Sequence, residues 1–247
     1  GGNYNDADFT NVKASIGWGE STLNRGVLPN RGYSQSLSLQ TTVPAASDLE
    51  FYKLDYRAQH FTPTSKQTAL RVHTELGYGD GFGDTEGGLP FYENYFAGGI
   101  NSVRGFRNGS LGPQAVASLA YPRIGNPNLP PNGNALPNYD PVTGYYQCNP
   151  ETGICTDPDQ DSQPFGGNVL ITGGVDFLFP LPFIKDQSSL RTTWFIDAGN
   201  VFSTNCDKYQ IDCNTPSLGD MAISTGIGLT WITAMGPLGF ALATPLK

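Results

Sequence analysis

Eight segments of alternating apolar and polar residues limit the folds open to this chain more than any other feature of its sequence. Alternation with a period of two places one set of side chains on one face of a β-strand and the rest on the other. In the first segment Val12 and Ile16 share a face, and Lys13 and Ser15 share the opposite one. The segments are Phe9–Glu20, Tyr33–Val43, Glu50–Phe61, Thr68–Gly79, Gly167–Phe179, Leu190–Phe202, Met221–Thr233 and Pro237–Ala243. The pattern predicts an all-β protein built on an antiparallel sheet.

Two features favour a transmembrane β-barrel over a soluble β-sandwich, which alternates in the same way. The polar rows carry ionisable side chains such as Lys53 and Asp55, which suit a water-filled lumen better than a packed core. The apolar rows carry aromatic residues toward their ends, among them Trp18 and Trp231, as the girdles at membrane interfaces do. We therefore predict that residues 1–247 form a single outer-membrane β-barrel domain.

Net charge and the small number of histidines argue against two classes of function. The formal net charge is −8, whereas a nucleic-acid-binding domain carries a basic stripe. His60 and His73 are the only histidines, and neither lies near a G-x-S-x-G motif or a cysteine. The sequence therefore predicts no nucleic-acid partner, no enzyme activity, no metal and no cofactor.

The longest segment without alternation runs from residue 83 to residue 165 and is predicted to be a long extracellular loop. Its first part is rich in aromatic residues, which a solvated linker would not keep. That part also contains Val103, Arg104, Gly105 and Phe106 in succession. An enclosed guanidinium needs a carboxylate partner, because it is always charged and has five donors. The sequence therefore predicts that this loop docks against an acidic site through Arg104.

The four cysteines fall into two pairs, each within a polar, turn-rich loop. Cys148 and Cys155 form one pair, and Cys206 and Cys213 form the other. The spacing is longer than that of usual zinc motifs and no histidine lies near, so zinc binding is the weaker interpretation. Two disulfides, each within its own loop, fit an oxidising compartment better.

Three stretches of the chain, in this order, resemble the BamA family, the outer-membrane insertases of the bacterial barrel-assembly machinery. The first is Phe91–Pro113, which overlaps the phrase PFYENYFAGG at residues 90–99. The second is LRTTWFIDAG at residues 190–199, and the third is Met235–Leu238. The related two-partner secretion transporters and the mitochondrial sorting protein share Val103–Phe106. The likeness covers most of the chain.

The resemblance implies where the loop docks. In this family the loop folds back into the barrel lumen and its motif arginine contacts the wall. By resemblance, Arg104 would meet Asp197 and stack near Phe195, with Asp176 as a second carboxylate. The alternating pattern independently places these three wall residues on the polar face of their strands. The resemblance also implies a barrel of sixteen strands, of which this chain would hold roughly the second half, about eight strands. The periplasmic domains that precede the family's barrel would be missing.

The resemblance further implies a non-enzymatic function, the assembly and insertion of β-barrel proteins into the outer membrane of a Gram-negative bacterium. Nascent outer-membrane proteins would be the clients, and outer-membrane lipid would surround the wall. Lipoproteins of the assembly complex would bind through the missing periplasmic domains. A two-partner secretion-type polypeptide transporter is the alternative with the same fold.

A sheet of about eight strands has two edge strands, whose backbone donors and acceptors need hydrogen-bond partners. Unpaired backbone groups are costly in lipid, so we expect either closure into a small barrel or pairing with a second copy. Closure needs no partner, and it is the outcome that we predict for the isolated chain. The lumen of so small a barrel is filled by side chains, so closure would separate Arg104 from Asp197.

Overall fold

The structure, a computed structural model, describes residues 10–85, 88–115, 163–181, 189–206, 210–211 and 213–247. Eleven strands form in this part of the chain. They are β1 (Lys13–Ser21), β2 (Gly32–Thr42), β3 (Phe51–Pro63), β4 (Ala69–Gly81), β5 (Gln114–Ala115), β6 (Gln163–Pro164), β7 (Val169–Phe179), β8 (Leu190–Phe202), β9 (Gln210–Ile211), β10 (Ala222–Thr233) and β11 (Gly236–Pro245). The eight long strands coincide with the eight alternating segments to within a few residues, so that prediction is confirmed.

The eight long strands form one antiparallel sheet in the order β1-β2-β3-β4-β7-β8-β10-β11. Each long strand therefore pairs with the long strands that precede and follow it in the chain. The numbers β5, β6 and β9 are absent from this order because those short strands lie outside the large sheet. β4 and β7 pair directly, although the long loop separates them in sequence. The short strands form a second sheet in the order β6-β5-β9. The sequence did not predict this second sheet, because strands of two residues carry no periodicity.

Helical structure in the described residues is limited to short turns. Four 3-10 helices span Pro44–Ala46, Gly83–Thr85, Phe91–Glu93 and Leu218–Asp220. No helix in the described ranges is long and apolar enough to cross a membrane.

The two faces of the large sheet differ as the alternation predicts. Apolar side chains on the outer face are exposed, for example Ile16 at 72% and Ile227 at 55%. On the inner face Asp176, Asp197 and Phe195 are almost completely buried. The sheet thus presents an apolar outer surface, suited to lipid, and an inner face that is covered by other parts of the chain.

The sheet curls toward its inner face, so that the connection between β1 and β2 reaches the beginning of β8. Arg191 donates hydrogen bonds to the backbone carbonyls of Leu28 and of Pro29, the latter at 2.6 Å. Leu23, from the same connection, packs on a small apolar cluster formed by β3, β4 and β7. These contacts close one end of the concave side, although three strands lie between β2 and β8 in the sheet.

The prediction that the isolated chain closes into a small barrel is wrong. Within the described ranges β1 pairs only with β2, and β11 pairs only with β10, so no backbone pairing links the first and last strands. The physical reason lies on the inner face, where the described part of the long loop packs and its tip residue Val103 is fully buried. A closed barrel of eight strands has room only for its own side chains. The sheet therefore stays open around the loop.

Candidate functional site

The described part of the long loop lies on the inner face of the large sheet. Tyr95 pairs with Gly167 through two backbone hydrogen bonds, which join the descending and returning arms of the loop. Ala97 forms a bridge to Leu111. Between these two residues the chain turns back on itself. The tip of that turn carries Val103, Arg104, Gly105 and Phe106.

Arg104 makes the contacts that the sequence predicts. Its Nε donates to Asp197 Oδ2 at 2.6 Å, and its Nη2 donates to Asp197 Oδ1 at 2.8 Å, so the guanidinium binds this carboxylate with two donors. Nη2 also donates to Asp176 Oδ1 at 2.7 Å. The backbone amide of Arg104 adds a bond of 3.1 Å to Asp197 Oδ2. One arginine of the loop thus joins two neighbouring strands, β7 and β8.

Phe195 forms the floor of this site. The Cζ atom of Arg104 lies 3.5 Å from the centre of the Phe195 ring, and that ring is fully buried. A guanidinium placed over an aromatic face is attracted by the ring quadrupole, more strongly where water is excluded. The predicted stacking of Arg104 near Phe195 is therefore present in the structure.

The environment of Arg104 favours its charged form. Burial lowers the pKa of the guanidinium, but hydrogen bonds and charge from Asp197 and Asp176 outweigh that effect and raise the pKa above its ordinary value. A stable positive charge matters here because two buried carboxylates so close together would otherwise repel each other.

The structure adds two groups that sequence reasoning did not assign to this site. Arg71 Nη1 donates to Asp176 Oδ2 at 3.0 Å, and His73 Nδ1 lies 3.4 Å from the same oxygen. Both residues lie on β4, where Arg71 is the register partner of Asp176. Arg71 and His73 belong to the polar row of the alternating segment Thr68–Gly79, but their proximity to Asp176 depends on the register in which β4 pairs with β7, and alternation does not specify that register.

The other three residues of the motif hold the tip of the loop close to the wall. Val103 is fully buried, and a Cβ atom on Gly199 would lie 2.8 Å from its Cγ2. Gly105 has φ of +96°, and a Cβ there would lie 3.2 Å from both Ser224 and Ala243. The Phe106 carbonyl accepts a hydrogen bond from the amide of Gly99 at 3.1 Å, which closes the turn.

The disulfide prediction is supported for one of the two pairs. Cys206 and Cys213 form a disulfide with an S–S distance of 2.03 Å. Cys148 and Cys155 lie outside the described residues, and their pairing stays a prediction. Between Cys206 and Cys213 lies β9, which pairs with β5 on the returning arm of the long loop. The disulfide therefore closes a loop that contacts the long loop directly.

A polar cavity of about 320 Å³ lies between the loop tip and the inner face of β2, β3 and β4. Its walls include Arg57, His73, Glu75 and, from the loop, Asn101 and Ser102. The described ranges contain no group of three or more His, Cys, Asp or Glu side chains placed to hold a metal ion. The site therefore attaches the loop to the barrel wall through ion pairs, and the polar cavity lies beside this attachment.

Comparisons with known proteins agree with this architecture. A family model described as the Omp85 superfamily domain matches residues 3–247. The outer membrane protein assembly factor BamA of Neisseria meningitidis is 28% identical over 255 residues, which cover 95% of this chain and 26% of that protein. The crystal structure of BamA from Haemophilus ducreyi lacking POTRA domains 1–3 matches with a TM-score of 0.67 and 26% identity. That match covers 95% of this chain and 39% of the other. The chain therefore spans only a minor part of the length of each relative.

Proposed function

Because the chain belongs to the Omp85 superfamily, we propose that it forms part of the wall of a barrel that assembles and inserts other β-barrel proteins into the outer membrane. Its location is the outer membrane. The clients in this function are other outer-membrane proteins. Binding of partner lipoproteins through further domains belongs to the same proposal.

The observation that carries the proposal is the ionic attachment of the loop by Arg104. A buried guanidinium bound to Asp197 and Asp176 fixes the loop tip against β7 and β8. A loop held in this way occupies the lumen of a barrel and supports its wall from inside. That role leaves the strand edges as the places where a client strand can add by backbone pairing.

We propose that the insertion needs no enzymatic step. Pairing of a client strand with an exposed strand edge satisfies backbone donors and acceptors that would otherwise be costly in lipid. The free energy of the reaction then comes from the folding of the client, and no nucleotide is consumed. This mechanism requires a wall that stays intact while an edge is exposed, and the loop attachment supplies such support.

The experiment that tests the proposal uses the full-length protein reconstituted in lipid vesicles. A urea-denatured outer-membrane β-barrel protein is added without nucleotide, and its folding is followed by protection from protease. We expect faster folding with the wild-type protein than with protein-free vesicles. An equal folding rate in the two samples would refute the proposed function.

Photo-crosslinking then separates insertion from secretion, the function of the alternative transporter. Crosslinkers are placed on the outer face of β11 at Phe240, whose side chain is exposed, and on the wall of the inner cavity at Ser36. An insertase should crosslink its client at the outer face, where the client enters the lipid, whereas a transporter should crosslink its passenger at the inner face. Crosslinking confined to Ser36 would favour the transporter.

A further inference from the structure

A second cluster of charges lies where the loop first meets the sheet. The short helix Phe91–Glu93 rests against β1 and β3, on the far side of the inner face from Arg104. Glu93 forms ion pairs with Lys13 of β1 and with Lys53 of β3. β3 and β8 are three strand spacings apart in the sheet, about 14 Å at the usual separation. The loop is thus attached to the wall at two distant places.

Lys53 makes more contacts with this part of the loop than Lys13 does. Its Nζ donates to the Glu93 backbone carbonyl at 2.7 Å and to Oε2 at 3.4 Å. The same Nζ lies 4.5 Å from the centre of the Tyr95 ring, two residues further along the loop. One lysine of the wall therefore contacts the loop through a carbonyl, a carboxylate and an aromatic face.

Burial distinguishes this cluster from an ordinary surface ion pair. The side chains of Lys53 and Glu93 are only 15% and 14% exposed. Exposed ion pairs contribute little, because water and salt screen them. A pair that is mostly buried behaves differently, since loss of one partner leaves the other charge desolvated and uncompensated.

We propose that Glu93 is a positioning residue that holds the descending arm of the loop to β1 and β3 independently of Arg104. Arg104 fixes the tip, and the pairing of Tyr95 with Gly167 joins the arm to the returning chain, but neither of these contacts attaches the arm to β1 or β3. Glu93 and Arg104 are eleven positions apart in the sequence. When both are attached to the wall, the arm between them has a fixed path. The importance of this path for client assembly rests on the function proposed above, whereas the attachment itself does not.

Limited trypsin digestion of the folded full-length protein in vesicles tests the attachment, because Arg107 of the loop is exposed. Glu93→Gln keeps the shape of the side chain and removes its charge. We expect cleavage after Arg107 to become about tenfold faster, the lower end of the range for loss of a charged hydrogen-bonding partner. Glu93→Asp keeps the charge, so its rate of cleavage after Arg107 should be closer to the wild-type rate than that of Glu93→Gln.

A double-mutant comparison shows whether Lys53 is the partner. Lys53→Met should also accelerate cleavage, and the Glu93→Gln, Lys53→Met double variant should be cleaved more slowly than the product of the two single effects predicts, because the two side chains share one ion pair. Glu20→Gln is the control, because it removes a carboxylate of β1 whose hydrogen bonds come from Tyr33 and Gln35 of β2 and not from the loop. It should leave cleavage after Arg107 within about twofold of wild type.

Two results would overturn the inference. One is cleavage of Glu93→Gln at the wild-type rate, and the other is multiplicative effects of Glu93→Gln and Lys53→Met. The midpoint of unfolding in urea is measured in parallel, and a fall as large in Glu20→Gln as in Glu93→Gln would also contradict a positioning role. None of these readouts uses a client. Failure of the wild-type protein to assemble clients would therefore refute the proposed function and leave the attachment to be judged by proteolysis.

Discussion

Replacement of Arg104 by alanine should destabilise the folded protein mainly through Asp197. The guanidinium gives two hydrogen bonds to Asp197 and one to Asp176. Both carboxylates are buried, with exposed fractions of 0% and 1%. Without the arginine side chain, Asp176 keeps its bond to Arg71. Among the described residues, Asp197 keeps only the backbone amide of residue 104 as a hydrogen-bond donor, and it does so only if the loop stays in place.

The size of the effect follows from this inventory of contacts. Removal of one partner from a buried ion pair costs about 3–5 kcal/mol, because the remaining charge is uncompensated. We expect Arg104→Ala to lie in that range. The positive charge of Arg104 chiefly neutralises Asp197. A second substitution, Asp197→Asn, should therefore restore about 1–3 kcal/mol of stability to the Arg104→Ala protein. Asp176→Asn in the same background should restore less, since Arg71 still neutralises that carboxylate.

The assay is a urea titration of the full-length protein in lipid vesicles, followed by tryptophan fluorescence. Trp194 lies next to Phe195 in β8 and reports on this part of the wall. Four proteins are compared: wild type, Arg104→Ala, Asp197→Asn and the double variant. Arg104→Lys is a useful fifth, because a single ammonium retains the charge and loses the two-donor geometry.

One outcome would refute the reasoning. If Asp197→Asn further destabilises the Arg104→Ala protein, the carboxylate is not an uncompensated charge after loss of the arginine. Arg104 would then act through packing on Phe195, and not by neutralising buried carboxylates. An equal restoration by Asp176→Asn would refute the narrower claim that Arg71 protects Asp176.

The remaining predictions concern the faces of the sheet, the loop tip and the disulfide. Leu37→Arg on the outer face should cost about 2–4 kcal/mol near the bilayer midplane, whereas Ser38→Arg on the inner face should cost less than about 1 kcal/mol; equal costs in a folding titration would contradict the assignment of faces. Gly105→Ala should destabilise the protein by about 1–3 kcal/mol, measured by the same titration, because its positive φ disfavours any side chain. Mass mapping without reductant should find Cys206 linked to Cys213, and free thiols or a link to another loop would contradict the structure.

The long strands and the faces of the sheet were determined by the sequence alone. Alternation is a local property, because neighbouring side chains of an extended chain point to opposite sides whatever the strand pairs with. For the same reason Asp176, Phe195 and Asp197 could be assigned to the polar faces of β7 and β8 before any pairing was known. The motif around Arg104, together with the resemblance to a family, was sufficient to predict its partners.

The pairing of distant segments was decided only by the tertiary structure. The contact of Arg71 with Asp176 requires β4 and β7 to be neighbours in a particular register, and that of Glu93 with Lys53 requires the loop to cross the inner face. Neither condition leaves a periodic signal in the sequence. Edge closure was predicted wrongly for a related reason. It depends on competition between backbone pairing of β1 with β11 and burial of the loop, and a local pattern contains no information about which of these two long-range arrangements has the lower free energy.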